Sequence, residues 1–265
     1  MNISGKTAVL TGAGGGIGSA MAFALAGAGA GLVLVARDRV KLDSLCESLP
    51  GEGHALVSAD ITSEAGRAAV LGACQGGVDL LVNNAGVSHF GMFEQQSEQQ
   101  LRQTLDVNVL APMLLTQALL PMLAQSSGTV VNVGSGYGSI GFAGNCAYSA
   151  SKFALRGFTE ALRRELADSS ISVQYLAPRA VATDMNPPEV VAMNKELGNA
   201  TDTAAQVANE LMALLASGKP ARHMGAPERF FAKLNGLFPS IIDSALASKL
   251  PVIRRQAMAA QAKAG

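Results

Sequence analysis

The sequence predicts a single doubly wound α/β domain, with a parallel sheet of about seven strands and helices on both faces. Three observations carry that prediction. Short, continuous apolar runs bounded by turn residues alternate with longer helical patterns, as expected of parallel strands joined by right-handed crossovers. Hydrophobic residues fill 49% of the 265 positions and charged residues only 15%, enough to bury a sheet on both faces. Polar and glycine-rich clusters fall just after the strands, at the carboxyl edge where such sheets bind ligands.

Taken in order, strands are expected at Thr7–Leu10, Leu32–Ala36, Ala55–Ser58, Leu80–Val82, Val130–Val133 and Val173–Leu176. Helices are expected between them at Ile17–Ala28, Arg39–Ser48, Glu64–Cys74, Gln99–Gln125 and Lys152–Ala167. Two uncharged runs invite another reading. Ile17 to Ala36 is long enough for a membrane span, but Gly27, Gly29 and Gly31 divide it into a small-residue helix, a turn and a buried strand. Val107 to Ser151 is broken by Pro112, Pro121 and many small polar residues. It reads as buried interior plus a helix covered by another subunit, because an exposed helix face normally carries charge.

Composition narrows the function further. Twenty Lys and Arg balance twenty Asp and Glu, so no charge excess draws the chain to nucleic acid, and none is expected as a partner. Cys46, Cys74 and Cys146 lie far apart without CxxC spacing, and His54, His89 and His223 share no zinc-like spacing. Disulfides and metal ligation are therefore not expected, and the thiols are expected to be buried. The N-terminal MNISGKTAVL has no basic region, apolar stretch or cleavage site, so a cytoplasmic location is expected.

The first strand runs into a turn containing Gly12, Gly14, Gly16, Ile17 and Gly18, and then into a helix. Glycines at such a turn let the backbone approach a pyrophosphate while helix N-terminal amides face its charge. The second strand ends at Ala36 and is followed by Arg37 rather than by an acidic residue. An acidic residue there accepts from ribose hydroxyls, whereas a guanidinium suits a 2′-phosphate. NADPH is thus expected over NADH, with Asp38 the competing ribose contact.

Further polar groups follow the later strands: Asp60, Asn83-Asn84-Ala85-Gly86, Ser135 and, on the long helix, Asn108. Tyr148 and Lys152 are four apart, so on one helix they share a face and can meet around one substrate atom. A lysine's charge favours tyrosinate and lowers a phenol pKa, fitting the tyrosine for proton exchange with an alcohol or carbonyl oxygen.

With TGxxxGxG at Thr11–Gly18, NNAG at Asn83–Gly86, Ser135, and YxxxK at Tyr148–Lys152, the chain resembles the short-chain dehydrogenase/reductase family over about residues 5–220. The resemblance implies a Rossmann fold and an NADPH-dependent oxidoreductase acting on a carbonyl or the matching alcohol. It implies Tyr148 as general acid/base, Lys152 as the group that lowers its pKa and holds the nicotinamide ribose, and Ser135 as the ligand of the substrate oxygen. Asn108 would hold a water in the proton relay. Asp60 and Ile61 would bracket the adenine, Asn84 and Gly86 would follow the adenosine ribose, and Pro178 to Thr183, including Val181, would line the nicotinamide. A homodimer or homotetramer is also implied. Where the family usually has Pro-Gly the chain has Pro178-Arg179, and Arg179 either faces solvent or reaches a phosphate or an anionic substrate group. A non-catalytic dinucleotide sensor on the same fold is the rival reading, and an epimerase or dehydratase a further one.

The segment from Asp184 to Gln206 has the position of the family's substrate loop. Met185, Val190, Val191 and Met193, joined by His89, Phe90, Phe93 and Phe142, favour an apolar ketone, aldehyde or alcohol, or an acyl-type carbonyl. The catalytic domain is expected over residues 1–225 and an amphipathic helical extension of it over 226–265, interrupted at Pro239. In the extension, Arg229, Lys233, Lys249, Arg254, Arg255 and Lys263 stand against Glu228 and Asp243. Its apolar face either packs on the subunit or a dimer partner, which is preferred, or makes peripheral contact with an anionic membrane.

Overall fold

The computed structural model describes residues 1–183 and 185–264; Asp184, which opens the expected substrate loop, and Gly265, which closes the expected extension, lie outside them. Seven strands alternate with helices: β1 (Thr7–Thr11), α1 (Gly16–Gly27), β2 (Gly31–Ala36), α2 (Arg39–Ser48), β3 (Ala55–Ser58), α3 (Glu64–Ala73) and β4 (Leu80–Asn83). There follow α4 (Glu98–Leu105), α5 (Ala111–Ser126), β5 (Thr129–Val133), α6 (Cys146–Glu165), β6 (Ser172–Ala177), α7 (Pro188–Glu196), α8 (Ala204–Ser217) and β7 (Ala221–His223). All neighbouring strands pair parallel in the order β3-β2-β1-β4-β5-β6-β7. The chain reverses its winding direction between β1 and β4, so helices cover both faces and a crevice opens at the strands' carboxyl ends.

One face buries Met21 and Leu25 of α1, Leu42 of α2 and Leu211 of α8. The other buries Val70, with Leu115, Leu119 and Leu123 of α5 and Leu162 of α6. Residues Glu98–Ser126 form one apolar run of helix long enough to cross a membrane. Its inner face, however, is seated on the sheet at Leu115, Leu119 and Leu123, which accounts for the apolar residues on that face.

The helix bearing Tyr148 starts at Cys146, earlier than the sequence pattern placed it, so Tyr148 and Lys152 lie on its first two turns. The expected substrate loop contains helix α7, opened by Pro188 at its first turn. Cys46 is half-buried, Cys74 buried and Cys146 exposed. That corrects the expectation of buried thiols: Cys146 opens α6, where the helix leaves the core.

Residues beyond Gly225 form α9 (Ala226–Leu237), α10 (Pro239–Ala247) and α11 (Leu250–Ala264). Pro239 starts α10, since it cannot continue α9. α11 lies on α7, burying Ile253 and Ala257, and is pinned there by Arg255–Glu196 at 2.5 Å and Lys263–Glu189 at 2.6 Å. Phe230, Leu237, Phe238 and Ile241 of α9, α10 and their junction are left exposed.

Candidate active site

A cavity of about 1250 Å³ runs along the carboxyl edge of the sheet from β2 to the C-terminal helices. Gly12, Gly14, Gly16, Ile17, Gly18, Arg37, Asp60, Ile61, Asn84, Gly86, Ser135, Tyr148, Lys152, Val181 and Thr183 all line it. Residues spread over most of the chain are thus brought to one space, because parallel pairing puts every strand's C-terminus on the same edge.

At one end the chain turns from β1 into α1. Gly12 has φ +68°, and a Cβ there would lie 2.8 Å from Ala85 Cα, while one on Gly18 would collide with the Gly12 carbonyl. Only glycine permits this packing of turn, helix and β4 exit. The Asn84 amide donates to the Thr11 and Gly12 carbonyls at 3.0 and 3.3 Å, bracing the turn. α1 has no side-chain cap and no acidic residue in its first turn, so its leading amides are open to an anion. Thr183, beyond β6, closes over Gly16, where an added Cβ would come within 3.0 Å of Thr183 Cγ2.

Arg37 is exposed beside the turn, near enough to Asp60 to help lower its pKa, an effect led by the Thr62 backbone amide. Asp38 caps α2, accepting from the Lys41 amide at 3.1 Å. Lys41 also lines the cavity, with its Cβ 3.5 Å from where a Gly14 Cβ would be. Sequence reading passed over Lys41; its signal was a second cation in the helix turn that follows Arg37.

At the centre, Lys152 Nζ donates to the Val133 carbonyl at 3.0 Å and lies 5.6 Å from the centroid of the Tyr148 ring. Burial lowers its pKa to about 8. Burial raises the pKa of the Tyr148 phenol, with the Ser135 hydroxyl pulling the other way. The sign is opposite to the effect anticipated from lysine, because desolvation of the phenolate outweighs every other influence on it. Ser135 Oγ accepts from the Tyr137 amide at 3.2 Å. Tyr175 Oη accepts from the Ser135 amide at 3.4 Å, its own pKa pushed up to about 12 by burial. Tyr175 therefore holds the turn that carries Ser135, a role with no motif to announce it.

Asn108 sits behind the cavity on a π-turn, Asp106–Leu110, between α4 and α5, a widening often found where a helix serves a site. Its Oδ1 accepts from the Val87 amide at 2.8 Å, and its Nδ2 donates to the Val87 carbonyl at 2.9 Å and to Ser151 Oγ at 3.0 Å. The side chain is thereby committed to joining the β4 exit to α6. Gly86 lies between, its missing Cβ leaving 3.3 Å to Asn108 Oδ1 and 3.6 Å to Lys152 Nζ.

Arg179 takes neither course anticipated for it. It grips buried Asp202 through two hydrogen bonds of 2.7 and 2.8 Å and reaches Glu228 at 3.4 Å. The β6 exit is thereby tied to the segments before α8 and within α9. Beyond Tyr148 the cavity turns apolar: Tyr137 stacks on Phe142 at 5.0 Å and meets the Tyr148 ring edge-on at 6.2 Å. Phe90, Phe142 and Val190 line this part, as does Met185, while Met193 packs behind it and Phe93 stays exposed outside.

The family model for short chain dehydrogenases matches residues 6–194. The chain belongs to the short-chain dehydrogenase/reductase family. That places it among NAD(P)-dependent oxidoreductases. It is 35% identical over 211 residues to the 3-oxoacyl-acyl-carrier-protein reductase of Vibrio cholerae, covering 78% of this chain and 84% of that one. With carbonyl reductase family member 4 of Danio rerio it shares 35% over 156 residues, covering 58% and 66% of the two chains. A short-chain dehydrogenase from Burkholderia cenocepacia solved with NADP superposes with a TM-score of 0.81 at 25% identity, covering 93% of this chain and 99% of that one. A 3-ketoacyl-acyl-carrier-protein reductase from Brucella melitensis solved with NADH gives 0.76 at 29%, covering 84% and 97%.

Proposed function

We propose that the chain is a carbonyl reductase that prefers NADPH, with Tyr148 as its general acid. The observation that carries this reading is the convergence of Ser135, Tyr148 and Lys152 on a cavity whose other end is a glycine turn against an uncapped helix N-terminus. The turn and the Gly86 gap leave a cradle that a Cβ would fill, fitting a dinucleotide: α1's amides would hold the pyrophosphate, Asp60 and Ile61 flank the adenine, and Val181 and Thr183 face the nicotinamide. Arg37 and Lys41 supply two cations where a 2′-phosphate would lie, and Asp38 is occupied as a helix cap. These features support NADPH over NADH.

A bound nicotinamide cofactor supplies the hydride. The Ser135 hydroxyl orients the substrate oxygen, and Tyr148 Oη delivers the proton to it. A phenol held protonated by burial suits reduction, since the acid must carry its proton at neutral pH. Lys152, held by the Val133 carbonyl beside Tyr148, keeps its ammonium charge near the phenolate as it forms. Asn108 keeps Val87 and α6 in register for that exchange. The sensor reading explains none of these aligned side chains.

Leu105, Leu110 and Phe153 stand exposed on α6 and the α4–α5 helical run, which supports a homo-oligomer formed across that face. A cytoplasmic location is part of the same reading. Parallel calorimetric titrations with NADPH and NADH, followed by a carbonyl screen with the tighter cofactor, test it. Tight NADPH binding and carbonyl-dependent NADPH oxidation are expected; binding of neither cofactor overturns the reading.

A further inference from the structure

The cavity does not end at the aromatic residues around Tyr148. Ile242, Ala245 and Leu246 of α10, with Phe231 of α9, continue its wall, and Lys249 at the α10–α11 junction completes it. Ile242 is fully enclosed at 5% exposure. Leu246 packs with Phe90 and Phe142 in one apolar cluster, so the extension's inner face adjoins the space in front of Tyr148. α11 backs this wall with Ile253, which joins the same cluster, and is itself held on α7 by two ion pairs.

The charges lining the cavity sort by position. Arg37, Asp38, Lys41 and Asp60 belong to the glycine-turn end, and Lys152 to the centre. On the far side Arg179 pairs with Asp202 and reaches one oxygen of Glu228, whose other carboxylate oxygen is buried without a hydrogen-bond partner among the described residues. Lys249 is left as the far-side cation with no ion-pair partner among the described residues. Lys249 is a partly buried residue of the cavity wall without a carboxylate partner, and a cation so placed suits an anionic ligand group.

We propose that the C-terminal helices form a subsite for the tail of the substrate, taking an apolar chain along Phe90, Phe142, Ile242 and Leu246 and an anionic end group on Lys249. The substrate class is then a carbonyl compound whose chain ends in a carboxylate or phosphate. This rests on the reductase reading for the carbonyl but not for the tail.

Binding of non-reacting chains tests it directly. The full chain is titrated with decanoate, decyl phosphate and 1-decanol, with and without saturating NADP. At least one anion is expected to bind about tenfold tighter than the alcohol, as a partly desolvated charge pair would give. The tighter of the two anions identifies the end group. Lys249→Met, which keeps an apolar stem, is expected to erase the preference and leave 1-decanol unchanged. Leu246→Trp is expected to weaken all three by filling the channel. Equal affinity for alcohol and anions, or an anion preference that survives in Lys249→Met, overturns the proposal. So does undiminished binding in a folded Leu246→Trp chain, which would put the ligand outside the cavity. The titration reads binding rather than turnover, so its failure is separate from failure of the reductase reading, which the NADPH-oxidation assay decides.

Discussion

The two ends of the cavity are built by different means. At the glycine-turn end, proposed for the cofactor, close backbone packing and committed hydrogen bonds leave little freedom: Gly12 and Gly18 fit where no side chain can, and Asn84 ties the turn to the β4 exit. At the other end, proposed for the substrate, the walls are apolar side chains from α7, α9 and α10, held by ion pairs at their rims. The first arrangement is specific to one ligand shape because its groups are fixed one by one. The second can change its preference through any of several side chains, since apolar contact is non-directional.

The strongest way to break this contrast is Tyr148→Phe. If the central residues serve chemistry and the turn serves binding, kcat falls by about 10²–10⁴-fold while NADPH affinity by calorimetry stays nearly unchanged. Substantial residual turnover would refute Tyr148 as the acid.

Asp202→Ala probes the rim of the substrate end. It leaves Arg179 partly buried without its main partner, at a cost of about 3 kcal/mol. A fall in Tm of about 6–10 °C is expected in a thermal melt, and an unchanged Tm would show that the link between β6 and α8 carries no stability. The cofactor end is sharpened by Arg37→Asp, which should move the NADPH/NADH ratio of kcat/KM toward NADH by roughly 10–100-fold. A constant ratio removes Arg37 from phosphate recognition.

The smallest effect concerns the clamp of α11 on α7. Glu189 and Glu196 have their pKa values lowered, first by hydrogen bonds from Lys263 and Arg255 respectively. Acids lowered in the folded state stabilise it above the unfolded value of 4.5, and that contribution is lost as pH falls through the lower folded values. Backbone NMR shifts of α11 should therefore stay constant from neutral pH to near the unfolded value and change below it. Shifts that move only above that point would show that other groups hold the helix.

Much of the cofactor end was legible in the sequence because its constraints are local. A strand, a glycine turn and a helix lie adjacent in the chain, and Tyr148 and Lys152 need only one helical turn to meet. Tyr175 was not legible, since it reaches Ser135 across a parallel strand pair and its residue type is common in strands. Arg179 was misjudged because its partners, Asp202 and Glu228, are distant in sequence. The π-turn at Asn108 left no mark in a helical pattern that reads smoothly from Gln99 to Gln125. The extension's helices and the Pro239 break were readable from periodicity, but which of their apolar residues face inward was not: Ile242 is buried while adjacent Ile241 is exposed.

By itself the sequence determined the alternation of the first six strands with their helices, the strand edge that carries the polar residues, and the candidates for proton transfer and phosphate contact. Those follow from periodicity, turn chemistry and residue type, which act over a few positions. Only the tertiary structure decided that Asn108 is spent on Val87 and Ser151, that Arg179 is locked by Asp202, and that α10 closes the cavity with Lys249 at its end. Each of these depends on which distant segments share a desolvated space, where every charge and polar group must find a partner.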